Sequence, residues 1–338
     1  MRLRFILLFL LGVLIILGVF FYSGPEAVVR DLLKFNFKYF VLLFFIQVFL
    51  MVFWALKWRV VLKHYNVSFR NVLLVSFAGY FANNLTPVNM AGGEPVMAYL
   101  LPKVDKNIST ESSAASVIVN TFLTIFPVFG LILLAIILGF SYNLPLKLAL
   151  VLFVGGSVVA FVFFAVLFLF VKQEYSRRII TFAIRFLKKF PLVFISEHAL
   201  NAEKRIDAII DNFNDAMNKT MTDKTIMLSG IAISTIIWLG YILQTYLIFN
   251  FIGFPVPLQT ILVVKIVAIM IGFLSITPGG VGIWEGVSAW LFSLYNIPLS
   301  TATAAVFIER LFTFWIGSFI GFLAVVYLGG SYILEKYI

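Results

Sequence analysis

The chain has 338 residues, of which 62% are hydrophobic and only 12% charged, and its mean hydropathy is +1.07; soluble domains carry about 25% charged residues, so this is a polytopic membrane protein. There is no cysteine, which excludes disulfides, iron–sulfur clusters and thiolate zinc sites, and His64 and His198 stand alone as solvated loop residues. The net charge of +10 does not mark a nucleic-acid partner, because the basic residues cluster in loops that flank apolar runs, as the positive-inside rule requires.

Arg2 and Arg4 precede an apolar run over 5–22, longer than the core of a cleaved signal peptide and lacking a small-residue cleavage site, so it reads as a retained first span. Further runs of about 20 residues, enough to cross a ~30 Å hydrocarbon layer, occupy 38–57, 114–140, 146–171, 226–250 and 301–328. The expected fold is therefore an all-α polytopic membrane protein with six full crossings. Two more apolar segments, 71–102 and 258–294, contain proline and glycine breaks. Each reads as a helix, a non-helical turn and a second short helix, that is, a re-entrant broken-helix hairpin.

Charge placement agrees with that count. Lys57, Arg59, Lys63 and Arg70 follow the second span, and Lys172, Arg177, Arg178, Arg185, Lys188 and Lys189 follow the fourth. Six crossings from a cytoplasmic N-terminus put both clusters and Lys336 inside, whereas a full crossing at 71–102 would separate them. Both termini are expected in the cytoplasm of a multi-pass cell-membrane protein. Three crossings lie between the hairpins, so the hairpins should enter from opposite faces as an inverted repeat, with halves at about 38–172 and 226–328 in a single membrane domain. Residues 173–225 form the one sizeable polar segment. There Ile179, Phe182, Ala183, Phe186 and Phe190 make an apolar helical face beside basic residues, a pattern suited to an amphipathic connector on anionic headgroups.

The breaks share a register. Leu85-Thr86-Pro87 is followed by Gly92, Gly93 and Glu94, and Ile276-Thr277-Pro278 by Gly279, Gly280, Gly282 and Glu285; threonine and glutamate are eight residues apart in both. Paired interruptions in the two halves of a membrane protein point to a transporter's binding site. Proline ends each helix, and the following helix begins near the glutamate, where free N–H groups favour an anionic headgroup. Ionisable residues inside apolar spans usually face a functional interior; here they are Glu94, Lys265, Glu285, Glu309 and Arg310. Asn83, Asn84, Thr86, Asn120 and Thr277 add hydrogen-bonding capacity at similar depth, the two adjacent asparagines as candidates to satisfy unwound backbone. Arg310 has two candidate partners, a headgroup phosphate or Glu285. Gly317 and Gly321 form a small-residue packing pair.

Asn84-Leu85-Thr86-Pro87 with Gly93-Glu94, Thr277-Pro278-Gly279-Gly280-Val281-Gly282 with Glu285, and Glu309-Arg310-Leu311 resemble the flippase-like transmembrane family related to the membrane region of lysylphosphatidylglycerol synthases. The resemblance spans roughly 5–330 and implies a lipid-translocating domain of two inverted halves with re-entrant helices. The chain departs from the family at Val119-Asn120-Thr121, where Glu-Arg-Leu is frequent, and at Met97, where arginine is frequent. It ends at Ile338 shortly after its last span, so lysyl transfer is not expected.

No phosphate-binding loop, nucleophile elbow, zinc-protease motif or dinucleotide fingerprint occurs. The leading expectation is a non-enzymatic transporter, without cofactor or metal, that moves an anionic or polyprenyl-phosphate-type lipid between leaflets. Arg310 and Lys265 would hold phosphate, and Glu94 and Glu285 would gate or couple protons. The alternative is a membrane-embedded lipid-modifying transferase or its accessory subunit; a third reading is a non-transporting scaffold.

Overall fold

The computed structural model describes residues 2–86, 92–141, 150, 152–157, 160–161, 164, 214–215, 217–272 and 275–337. The described chain is helical, and among the described residues there is no strand. In chain order the helices are α1 (Arg2–Tyr22), α2 (Pro25–Leu33), α3 (Phe37–Val61), α4 (Phe69–Leu85), α5 (Gly93–Val104) and α6 (Thr110–Ser141). They continue with α7 (Lys224–Phe251), α8 (Leu258–Gly272), a 3₁₀ turn (Pro278–Gly280), α9 (Ile283–Ser293), α10 (Leu299–Arg310), a π-helical stretch (Leu311–Ile316) and α11 (Gly317–Tyr337).

Four rods are long and apolar enough to cross a membrane: α3, α6 over Thr110–Leu138, α7, and the continuous stretch Leu299–Gly329. α1 and α2 meet at a bend of 92° and together make a fifth candidate. The sequence predicts six crossings; the one expected at 146–171 lies almost entirely outside the described residues, as does nearly all of the 173–225 connector. The short helix α2 was not anticipated. Gly24 turns the chain with φ 84°, Pro25 opens the helix, and Asp31 is buried against Thr301 of α10, whose hydroxyl donates to its carboxylate at 2.7 Å.

The rods are built inside out relative to a soluble helix. On α3, Leu42, Phe45 and Phe49 are exposed while Gln47 and Lys57 are buried with Leu43 and Leu50. Since hydrocarbon is as apolar as leucine, packing between such helices rests on close fit and on polar contacts, not on a hydrophobic drive. Gly317 and Gly321 provide that fit on α11, because a Cβ on either would run into Tyr80 or Phe81 of α4.

Contacts at the helix ends fix the directions. α3 and α7 run antiparallel, with the Tyr39 ring stacked 3.9 Å from that of Phe251 at one end and Lys63 Nζ 3.1 Å from Asp223 at the other. Asp223 also caps α7 by accepting from Thr225 N–H at 2.9 Å. With Lys63 as the chief cause, its carboxyl is held down to about 2.

α4 and α5 fold back on each other, and their outer ends are tied at the Asp223 end of the bundle. There Asp105 accepts hydrogen bonds from Ser68 N–H (2.9 Å), Asn71 Nδ2 (3.0 Å) and Asn107 N–H (3.2 Å). α8 and α9 form a second bent pair whose outer end lies at the opposite end of the bundle, where the Phe292 ring packs 4.7 Å from Phe249 near the end of α7. Each pair has its own apolar cluster. One contains Val75, Ala78, Met97 and Leu101, and the other contains Val264, Val267, Leu291 and Phe292.

Burial alone would raise the Asp105 carboxyl, but the three hydrogen bonds to its charged form outweigh that and hold it below the ordinary aspartate value. Its stabilising contribution is therefore complete above the unfolded value, about 4, and is lost as pH falls through the lower folded value. Asp105→Ala removes the acceptor of all three hydrogen bonds, leaving Ser68 N–H and Asn107 N–H without it, and should cost about 1–3 kcal/mol, read as a lower unfolding temperature in detergent whose difference from wild type vanishes in acid.

Candidate functional site

The two chain breaks meet in the middle of the bundle. Gly279 N–H donates to the Thr86 carbonyl at 3.3 Å, and a Cβ at Gly279 would sit 2.6 Å from the Asn84 carbonyl oxygen and collide with Phe314. Gly279 (φ 57°), Gly280 (φ 71°) and Gly282 (φ 83°) all adopt left-handed backbone, which side chains other than glycine take with strain. Hence Pro278 begins a tight 3₁₀ turn, and α9 restarts at Ile283.

Glu285 closes this second break. As the third residue of α9 it reaches back so that Oε2 accepts from Gly282 N–H at 2.7 Å, satisfying one of the free donors of a helix start. Its Oε1 accepts from Arg310 Nε at 2.8 Å. Arg310 Nη2 donates in turn to the Gly279 carbonyl at 2.8 Å, and the guanidinium lies 4.6 Å from the Phe314 ring centroid. Of the two partners weighed for Arg310, the structure has Glu285.

The neighbouring residue, Glu309, points to the other side of α10. It pairs with Lys265 of α8 and accepts from Thr245 Oγ1 at 3.0 Å. Lys265 also lies 5.4 Å from the Trp284 ring centroid. All four ionic side chains are buried, Lys265 at 6%, Glu285 at 3%, Glu309 at 4% and Arg310 at 8% exposure. Thr277 is fully buried, its hydroxyl 3.2 Å from that of Ser275.

The first break is held by amides. Asn83 Oδ1 accepts from Gly93 N–H at 2.6 Å, Asn84 Nδ2 donates to Ser318 Oγ at 2.8 Å, and the Thr86 hydroxyl returns to the Ala82 carbonyl at 3.1 Å. Asn83 thus satisfies unwound backbone, as expected, while Asn84 reaches across to α11. Gly92 packs on Thr86, whose Cβ lies 2.7 Å from where a Gly92 Cβ would stand, and α5 restarts at Gly93. Pro87 lies outside the described residues.

Glu94 has no counterpart to the Arg310 lock. Its Oε2 is buried without a hydrogen-bond partner, as is Oδ1 of Asn120 on α6. The charge acting on Glu94 belongs to Lys57, which sequence reasoning assigned to the basic cluster flanking the second span. The structure corrects that assignment. Lys57 is 1% exposed inside α3 and donates to Thr124 Oγ1 of α6. Leu43, Leu50 and Lys57 are seven residues apart and share the buried face, a spacing that was available in the sequence.

Tyr80 is a second residue that motif reading missed. From α4 it donates to the Thr313 carbonyl at 2.6 Å, a carbonyl within the π-helical stretch. Gln47 Nε2 adds a donor to Tyr80 Oη at 3.4 Å. Of the expected residues, one set meets at the second break (Gly279, Gly282, Glu285, Arg310) and one at the first (Asn83, Asn84, Thr86, Gly92, Gly93), joined tip to tip; Lys265 and Glu309 pair on the far side of α10, and Asn120 lies one turn from Thr124, the hydroxyl that Lys57 meets, with Glu94 sensing the Lys57 charge. Among the described residues no three His, Asp or Glu side chains converge as a metal site would require.

A family profile described as the lysylphosphatidylglycerol synthase TM region matches residues 9–321. The chain belongs to that family. It is similar to a UPF0104 membrane protein of Methanothermobacter thermautotrophicus, with 29% identity covering 96% of each chain. A UPF0104 membrane protein of Pyrococcus horikoshii shares 27% identity over 95% of this chain and 96% of its own, and one of Methanocaldococcus jannaschii shares 24% over 95% and 94%. Family membership and four span-length apolar rods make the chain an integral, multi-pass membrane protein.

For this family member the central pair can be tested without an activity. Arg310→Met strands the buried Glu285 carboxylate and should cost about 3–5 kcal/mol, whereas Glu285→Gln with Arg310→Met removes both charges and should cost much less than the two single changes added together. Unfolding temperatures of the four proteins in one detergent measure this, and additive losses would show that the pair is not coupled.

Proposed function

We propose that this protein is a transporter, not an enzyme, that carries an anionic or polyprenyl-phosphate-type lipid headgroup between leaflets through the junction of the two chain breaks. The carrying observation is the contact of Gly279 N–H with the Thr86 carbonyl, ringed by buried charges. Backbone irregularity at membrane depth is tolerated only where protein or a wet cavity satisfies it, and midplane sites between broken helices are how transporters hold polar cargo. In this reading the α4–α5 and α8–α9 pairs are re-entrant hairpins of an inverted repeat, six helices cross, and both termini are cytoplasmic. The outer ends of the two pairs at opposite ends of α7 support that arrangement.

Here the tips are shut, with Arg310 and Lys265 each closed on a carboxylate. Carriage requires that the tips part and that the headgroup phosphate take over from Glu285 as partner of Arg310. A planar guanidinium suits both anions, since each offers two oxygens to its fork of donors. The lipid-facing identity of the cargo rests on the family to which the chain belongs.

Purified protein in liposomes should move fluorescent anionic phospholipid between leaflets, and Glu285→Gln should slow transfer by at least about tenfold, because the guanidinium then lacks the partner that returns the site to its shut state. Vesicles with wild-type protein that behave like protein-free vesicles across several lipids would sink the proposal. Topology has its own check, because the chain has no native cysteine. Lys106→Cys, at the outer end of α5, should react with impermeant maleimide only from the cytoplasmic side and Lys38→Cys only from outside; labelling of both from one side would rule out opposed hairpins.

A further inference from the structure

The ionic groups around the two breaks are three cations, Lys57, Lys265 and Arg310, and three carboxylates, Glu94, Glu285 and Glu309; all are buried except Glu94, which is half-buried with its Oε2 enclosed. Two of the three possible pairs are made, Lys265 with Glu309 and Arg310 with Glu285. Among the described residues, neither Lys57 nor Glu94 has an opposite charge within 4.0 Å, although each feels the other's charge. Lys57 rests on a neutral hydroxyl, that of Thr124. Burying Lys57 and one oxygen of Glu94 while leaving the charges apart forfeits attraction that would offset their desolvation.

Glu94 Oε2 and Asn120 Oδ1 are both buried acceptors with no donor, and Asn120 is 3% exposed. They stand at the same depth. α5 and α6 pack against each other antiparallel through the turn at 105–109, Glu94 is eleven residues before Asp105, and Asn120 is eleven residues after Ser109. At 1.5 Å per residue both lie about 16 Å in from that turn. Two unpartnered acceptors at one depth on packed helices could be satisfied by a single hydrogen between them. A proton on Glu94, donated to Asn120 Oδ1, satisfies both, and it leaves Lys57 as a buried cation without a counterion.

Among the described residues on the elements that α5 packs against, no other charged group competes for this role. α5 packs on α4 and α6. On α4, Arg70 bonds to Tyr327 and Tyr80 to the Thr313 carbonyl; on α6, Glu111 is in the first turn; on α5 itself, Lys103 sits 5.5 Å from the Tyr99 ring in the outer half. Asn83 of α4 adds only an amide.

We propose that Lys57, Glu94 and Asn120 form a proton-linked phosphodiester site, in which a phosphate anion docks on the Lys57 ammonium while Glu94 takes up one proton and donates it to Asn120 Oδ1. Charge balances, because one anion and one proton enter together and the site stays neutral overall. The proposal deepens the transport reading and rests on it, giving the carried headgroup its anchor in the half of the molecule that has no arginine lock, and giving carriage a coupling ion. A lipid headgroup and a free phosphodiester share this chemistry.

Titration calorimetry on the purified full chain in neutral maltoside micelles tests it. The probes are dihexanoyl phosphatidylglycerol and dimethyl phosphate, whose single charge is constant from about pH 6 to pH 8. Wild type should bind at least the lipid probe, about tenfold more weakly for each pH unit of rise on the alkaline side, with close to one proton taken up per ligand as read from buffers of different ionisation heat. Binding of the lipid alone assigns the site to a headgroup; binding of both assigns it to any phosphodiester. Glu94→Gln, which keeps the shape and can donate to Asn120, should bind with no proton uptake and no pH slope. Lys57→Met should lose binding at least about tenfold, and Lys57→Arg should restore it.

An unchanged slope in Glu94→Gln, full binding in Lys57→Met, or no binding of either probe by wild type would overturn the proposal. Because no bilayer is involved, these outcomes are independent of whether liposomes show lipid transfer. Transfer without proton uptake would leave the transport reading standing and remove this one.

Discussion

Arg310 holds the centre of the molecule together because a helix break away from water creates two debts at once, unpaired backbone groups and the charges recruited to satisfy them. The guanidinium takes the Gly279 carbonyl, orphaned by the turn, and the Glu285 carboxylate, which is itself occupied with Gly282 N–H. One side chain thereby ties α10 to both sides of the break. A lysine would supply a point charge without the fork that spans carbonyl and carboxylate together. Glycine is equally bound to this arrangement at 279, since a Cβ there would meet the Asn84 carbonyl of the opposing tip.

The demand on α10 propagates along its rod. Successive residues of an α-helix point about 100° apart, so adjacent Glu309 and Arg310 serve different partners, Lys265 and Thr245 on one side and the break on the other. Immediately after them the rod loosens into six π-helical residues. π-Bulges commonly mark functional sites. Here the Thr313 carbonyl takes the Tyr80 hydroxyl, so the rod that locks the second break also grips α4, which leads into the first. The α4–α5 and α8–α9 pairs meet at their tips, and α4 is tied again to the rod of α10 through this hydroxyl.

The fold class, the positions of the long apolar rods and both breaks were legible in the sequence because they depend on local composition: runs of apolar residues, and proline and glycine within them. The partner of Arg310 was only narrowed to two, since a residue's depth can be read from a sequence but the face across from it cannot. Lys57 was misread for a related reason. Counting charges along the chain places a lysine near a span's end in the flanking loop, whereas its seven-residue spacing from Leu43 and Leu50 turns it inward. Helix α2, nine residues carrying Glu26, Arg30 and Asp31, is too short and too charged to register as a span, and the π-helical stretch leaves no compositional trace at all.

The two breaks recur in sequence but are satisfied by different chemistry, and that difference sets which joint yields first. Asn83, Asn84 and Thr86 close the first with neutral hydrogen bonds, each of net worth about 1 kcal/mol and each replaceable by water. The second is closed by a buried ion pair, and parting it without a replacement anion strands a charge at a cost of several kcal/mol. Water could therefore replace the bonds of the first joint, whereas parting the second without a stranded charge calls for another anion. On the transport proposal, an anion arriving beside the first tip, level with Glu94 and Asn120, would meet the loose side of the junction before the locked one, and its charge would be what the locked side needs in order to let go of Glu285.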